Sequence, residues 1–263
     1  MMNYGFIGCG NMGGSLIKAA VKAVRPSDIM ITDRDVAKRD ALAAETGASA
    51  AEIGDIAGKC GVIFLGVKPQ GMADMLGEIK NILASRKDRF FLVTMAAGTS
   101  IERIKGMVGN YPVIRIMPNL PASVCEGMIM YCCDSVQDDE VGVFLELMKY
   151  AGKLLPVDEK LIDAGSAVSG CGPAYAFMFI EAMADGGVKC GLSRAQAQLL
   201  AAQTLLGSAR MVMESGRHPG ELKDAVCSPG GTTIEGVLAL EAGAFRSHVA
   251  DAVVRAYEKS KKL

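Results

Sequence analysis

The sequence predicts an α/β protein in two parts, a parallel sheet with helices on both faces followed by an all-α domain. Three observations predict it. Short β-rich runs alternate with amphipathic stretches up to residue 157. A glycine-rich turn joins the first run to the first helical stretch, and beyond residue 157 β-branched runs give way to long Ala/Leu/Met stretches. The domains are accordingly read as 1–157 and 158–263. A chain of 263 residues, half of them hydrophobic and 22% charged, can bury a real core, which excludes disorder and collagen-like repetition.

Strands are predicted at 3–7, 29–32, 62–67, 90–95, 113–117, 128–132 and 153–157. Between them, residues 13–24 place Leu16, Ile17, Ala20, Val21 and Val24 on one helical face before Pro26 ends the element. A second amphipathic helix is predicted at 70–84. In the C-terminal half, helices are predicted at 174–188, 193–214, 232–241 and from 245 onward. Ser193, with Gln196 three residues on, marks the start of the longest. Its stripe is Ala195, Leu199, Ala202, Leu206, Ala209 and Met213. So many apolar helices without a layer of their own predict packing against a second subunit, with burial against the first domain as the alternative.

Lys plus Arg (28) nearly balances Asp plus Glu (29), so no basic footprint for nucleic acid is present. No basic leader is followed by a long apolar run, and no 18 apolar residues run together without glycine or charge, which predicts a soluble protein without a membrane segment. The eight cysteines form no CxxC and fall mostly in apolar stretches. Reduced thiols and a cytoplasmic location are the expectation. His218 and His248 lie far apart without an acidic or cysteine cluster, so no metal site is predicted.

Gly8-Cys9-Gly10-Asn11-Met12-Gly13 follows a strand and opens a helix, the Rossmann arrangement for a dinucleotide. Gly8 makes the tight turn, Gly10 lets backbone approach a pyrophosphate, and Gly13 lets the helix close on the strand, while N–H groups at the helix start face the anion. Asp33, twenty residues beyond Gly13, sits where an acid accepts from the adenosine ribose and favours NAD. Arg34 beside it suits a 2'-phosphate, so these residues leave NAD and NADP both open, and a solvated pair at a helix capped by Asp35 is the plainer reading. Val67-Lys68-Pro69 ends the third strand at the edge where ligands bind; Lys68 contacts cofactor or is a surface lysine. Ala96-Ala97-Gly98 leaves room for a nicotinamide ring or makes a tight turn into a helix at Ser100.

Ser228-Pro229-Gly230-Gly231-Thr232-Thr233 is a second anion-shaped loop. Gly230 and Gly231 expose N–H groups before a helix, and the hydroxyls of Ser228, Thr232 and Thr233 donate or accept. An ordinary helix cap by Thr232 is the alternative. Ser169-Gly170-Cys171-Gly172-Pro173 places small residues before a Pro at the helix start, suited to close packing. Cys171 has no His or Asp partner nearby in sequence, so it reads as packing rather than as a nucleophile. Glu181 and Asp185 read as a solvated face.

FIGCGNMG, VKP, Met117-Pro118-Asn119, GCGPAYAF, RAQAQ, HPGELKDAVCSPGGTTIE and GAFRSHV together resemble the pyrroline-5-carboxylate reductases along the whole chain. The resemblance implies a Rossmann domain with Asn119 in the cofactor set, and a helical domain that interlocks with its twofold mate, with dimers assembling into a decamer. It implies hydride transfer from NADPH, or NADH, to the C=N carbon of L-1-pyrroline-5-carboxylate, forming L-proline. Ser228 and the N–H groups of Gly231 and Thr232 would hold the carboxylate, and the Thr233 hydroxyl would meet the ring nitrogen. Two positions depart from the family: Cys171 stands where serine is common, and Asp33 replaces the small or amide residues that accept the 2'-phosphate. The rival readings are another imine reductase, a hydroxyacid dehydrogenase, and a non-catalytic dinucleotide sensor. The helix 173–185 lacks the lysine of related hydroxyacid dehydrogenases, which weighs against that rival.

Overall fold

The computed structural model describes residues 2–261. The chain divides into a first unit running to Gly170 and a second spanning Cys171–Glu258. The first holds an eight-stranded sheet: β1 (Tyr4–Ile7), β2 (Ile29–Thr32), β3 (Ser49–Ala50), β4 (Val62–Leu65), β5 (Phe91–Thr94), β6 (Val113–Met117), β7 (Gly127–Asp134) and β8 (Gly152–Pro156). Its spatial order is β3-β2-β1-β4-β5-β6-β7-β8. The first six strands are parallel and follow the doubly wound order, with the switch point between β1 and β4.

β7 departs from the all-parallel expectation by running antiparallel to β6. The physical reason is the short connection, a 3-10 turn at Leu120–Val124, because a parallel return needs a crossover of about a dozen residues or more. A helix then supplies that crossover, and β8 joins β7 in parallel.

The helices α1 (Asn11–Ala23), α2 (Val36–Thr46) and α6 (Asp138–Met148) cover one face; α3 (Ile53–Lys59), α4 (Pro69–Ser85) and α5 (Ile101–Val108) cover the other. Strand alternation feeds the two cores separately: Val62 and Phe64 enter one, Ile63 and Leu65 the other. Phe6 stacks on Phe64 with ring centroids 4.2 Å apart. Burial on both faces explains why β4 reads as a continuous apolar run, and why β5 and β6 are apolar but for the buried Thr94 and Arg115. The predicted α1 face is realised, with Leu16, Ile17 and Ala20 fully buried and Val21 and Val24 packed at the margin. A short helix unmarked in the sequence pattern, α7 (Ile162–Ser169), ends this unit.

The second unit is all helical: α8 (Gly172–Lys189), α9 (Arg194–Ser215), α10 (Pro219–Val226), α11 (Thr232–Ala242) and α12 (Phe245–Ser260). α9 begins in the expected capping box, in which the Ser193 hydroxyl accepts from Gln196 N at 3.3 Å and the Gln196 side chain accepts from Ser193 N at 3.2 Å. α8 and α9 meet through Ala184, Ala197 and Ala201, small residues that let two backbones approach closely. The predicted α9 stripe lies elsewhere on the helix and is exposed, Leu199 at 71%, Leu206 at 57% and Met213 at 59%. One stretch, Glu159–Lys189, is long and apolar enough to cross a membrane by length and composition, but turn residues at Gly170 and Cys171 interrupt its helix between α7 and α8.

Candidate functional site

The cofactor cleft is built from chain turns at the switch point. Gly8 adopts φ +112°, and a Cβ there would come within 2.6 Å of the Gly66 carbonyl oxygen. At Gly13 a Cβ would stand 2.1 Å from the Gly8 carbonyl oxygen, so the first turn of α1 closes on β1 only with glycine. Gly10 differs: a Cβ there meets nothing within 4 Å, so that side of the turn is open. Gly10 is also the N-cap of α1, with no side-chain cap and no acid in the first turn, so the N–H groups of Asn11, Met12 and Gly13 remain available to an anion.

A cleft of about 620 Å³ opens here, gathering Gly8, Gly10, Asp33, Arg34, Val67 and Lys68 of the predicted residues. Cys9 and Asn11 line an adjoining depression with Lys38 and Leu120. Pro69 sits at the first position of α4, with Lys68 as its exposed N-cap. Gly66, whose close approach to Gly8 shapes the cleft, escaped the sequence reading; a glycine closing the apolar run before Val67 was its signal.

Asp33 has a role the sequence did not reveal. Its carboxylate accepts from Cys9 N at 2.6 Å and from Asp35 N at 2.9 Å, strutting the glycine-rich turn against the end of β2. Asp35 caps α2 as expected, accepting from Lys38 N. Arg34 is exposed with no hydrogen bond or ion pair among the described residues, whereas Arg39 is held by Asp40 and Glu52. The Cys9 thiol donates to Thr32 O, and burial, aided by Asp33, pushes it up to about 11.

Ala96 and Ala97 belong to a tight turn that Gly98 closes at φ +67°, with Thr99 N donating to Ala96 O at 3.3 Å. Ser100 then caps α5. The Asn119 side chain is buried and committed: its amide donates to Ser169 O at 2.9 Å and its oxygen accepts from Met128 N at 2.8 Å, tying β6 to β7 and to α7.

In the second unit, Ser228 to Gly231 form a turn in which Gly231 N donates to Ser228 O at 3.0 Å and Gly230 takes φ +65°. Gly231, not Thr232, is the N-cap of α11, and no side chain caps it. Thr232 therefore lies inside the helix rather than closing it, and the first N–H groups of α11 have no side-chain cap. Ser228, Thr232 and Thr233 are all exposed. His218 caps α10 by accepting from Gly220 N, and among the described residues no cluster of three metal-ligating side chains occurs. Asp185 pairs with Arg194 at 2.6 Å, the solvated role expected of it.

A glycine cradle at the switch point of a doubly wound sheet, opening onto an uncapped helix start, defines a dinucleotide-binding protein. Residues 3–98 match the family model described as NADP oxidoreductase, coenzyme F420-dependent, and residues 159–263 match pyrroline-5-carboxylate reductase dimerisation. The pyrroline-5-carboxylate reductase of Escherichia coli K12 is 42% identical, over 98% of this chain and 97% of its own length. The structure of such a reductase from Coxiella burnetii is 31% identical, with a TM-score of 0.91, covering 99% of this chain and 98% of that one. That from Plasmodium falciparum, with NADP bound, is 32% identical with a TM-score of 0.86, covering 99% and 97%. The chain belongs to the pyrroline-5-carboxylate reductase family. Residues 159–263 form its dimerisation domain.

Proposed function

We propose that this protein reduces the C=N bond of L-1-pyrroline-5-carboxylate to form L-proline, drawing on NADPH in preference to NADH. The observation that carries the reading is the uncapped, exposed start of α11 behind the Ser228–Gly231 turn. Similarity to the Escherichia coli reductase over nearly the whole chain supports it.

Gly8 to Gly13 would hold the pyrophosphate through backbone N–H groups and the start of α1. Val67, Lys68 and Pro69, the Ala96–Ala97 turn and the Asn119 backbone would border the rest of the cofactor. Asp33 has both carboxylate oxygens turned toward backbone donors, while Arg34 stays free beside it, an arrangement that suits a 2'-phosphate. Bound NADPH supplies a hydride.

For the substrate, Ser228 and the N–H groups of Gly231 and Thr232 hold the carboxylate, with Gly230 giving the turn its left-handed corner. The Thr233 hydroxyl accepts from the protonated ring nitrogen and so orients the C=N carbon. A protonated cyclic imine is already electrophilic, so orientation and exclusion of water are the main demands, and no strong general base is needed. Residues 173–185 of α8 contain no lysine, which disfavours alcohol oxidation. The enzyme acts in the cytoplasm, where eight unpaired thiols are at home, and its dimers assemble into a decamer.

Thr233→Ala tests the assignment. Turnover should fall by about a hundredfold, as for loss of a transition-state hydrogen bond, while NADPH affinity stays within twofold. Unchanged steady-state turnover would remove Thr233 from the site.

A further inference from the structure

Arg115 sits in the middle of β6 with its side chain 5% exposed. Its Nη1 donates to Glu159 Oε1 at 3.0 Å and its Nη2 to Asp163 Oδ1 at 3.4 Å, while its buried Nε has no partner. The same Glu159 oxygen accepts from Ile101 N at 2.8 Å. Ile101 is the first residue of α5 and directly follows the turn that contains Ala96, Ala97 and Ser100. One carboxylate oxygen therefore joins the central sheet to the start of α5.

A buried guanidinium with an unsatisfied Nε is a poor way to gain stability, because the desolvation cost competes with the attraction. The pairing makes more sense as geometry. Arg115 aims Glu159, and Glu159 aims the last residues of the β5–α5 turn. Resting on the cofactor reading above, we propose that Arg115 and Glu159 are positioning residues that hold the 96–101 turn in the conformation that accepts NADPH. Neither touches cofactor or substrate; each acts through the turn.

The test is NADPH affinity by fluorescence titration, with hydrogen exchange at the Ile101 amide in the unliganded enzyme as a second readout. Glu159→Ala should weaken NADPH about tenfold, the loss of one charge-assisted hydrogen bond. It should also deprotect the Ile101 amide by a similar factor and leave the imine KM within twofold. Glu159→Gln keeps an acceptor for Ile101 N and should recover affinity to within threefold of wild type. Asp163→Asn, which leaves the Ile101 bond intact, should bind NADPH normally. If Glu159→Ala does not fold, Glu159→Asp keeps the charge for Arg115 but withdraws the oxygen from Ile101, and should show the same weakening. Wild-type affinity in Glu159→Ala or Glu159→Asp, with Ile101 deprotected, overturns the inference alone. Wild-type enzyme that binds no NADPH overturns the cofactor reading and this inference with it.

Discussion

The sheet body and the helical unit use similar apolar residues to opposite ends. In the first, Phe6, Phe64, Phe91, Leu16, Ile31 and Ile63 are fully buried by their own chain. Within Cys171–Glu258 only Ala184, Ala197 and Ala201 are buried, while Phe177, Met178, Leu199, Leu200, Leu206 and Met211 stand exposed. A water-exposed surface of that kind is costly unless something covers it. The dimerisation family to which residues 159–263 belong names the cover as a second copy of the chain. The apolar Glu159–Lys189 stretch belongs with that surface: its composition suits a bilayer or a subunit equally, and it lies within the dimerisation family match. Hydrophobicity tells where burial must occur, not which molecule supplies it.

The largest effect should come from breaking that cover. Leu199→Glu with Leu206→Glu removes two large side chains from the exposed α9 stripe and adds charge. At about 1.5–3 kcal/mol for each buried leucine, the dimer should weaken by a factor of at least about a hundred. Sedimentation velocity would show a monomer, with the sheet body still folded by near-ultraviolet spectroscopy. A double variant that stays dimeric at micromolar concentration would place the interface on another face.

A second pair sharpens the view that the sheet body builds its cleft unaided. Gly13→Ala forces a Cβ against the Gly8 carbonyl, so both stability and NADPH affinity should fall, the affinity by about a hundredfold. Gly10→Ala has open space and should melt within about 2 °C of wild type, yet weaken NADPH about tenfold, because the methyl occupies ligand space. Equal affinity in Gly10→Ala and wild type would show that the pyrophosphate lies elsewhere.

The smallest expected effect concerns ion pairs. In the sheet body, Glu140 is buried, takes two bonds from Arg89 at 2.7 and 2.8 Å, and accepts from Gln137 N in the capping box of α6. Burial opposes its charge, but those bonds outweigh it and hold the carboxyl below its ordinary value. A depressed folded-state value means stability that is present above the unfolded value and lost as pH falls through the folded one. Glu140→Gln should cost about 1–2 kcal/mol at pH 7, and the gap to wild type should close as pH drops below about 4. By contrast, Asp251→Asn in the exposed Arg255 pair of α12 should be near neutral at any pH. Denaturant melts at several pH values would separate the two.

Much of this was legible from local pattern. The 29–32 and 113–117 strands match the structure at both ends, and the others shift by a residue or two. β3 was missed because two residues carry no period, and no helix was predicted at α10, an eight-residue element in which Pro219 takes the first position. Local caps such as Asp35 and Ser193 were legible, but the long-range destinations of polar side chains were not. Asp33 reads from its position as a ribose acceptor, yet it bonds to Cys9 N twenty-four residues away, and the Asn119 amide serves β7 and α7.

Residue order was sufficient for whatever depends on neighbours along the chain: apolar periodicity, helix starts, and the glycines at 8 and 13, because each is a local steric or periodic constraint. The antiparallel turn-back at β7, the strut made by Asp33 and the three-way contact at Glu159 came only from the folded chain. The last two join residues far apart in sequence, and one carboxylate has many donors within reach until the backbone around it is in place.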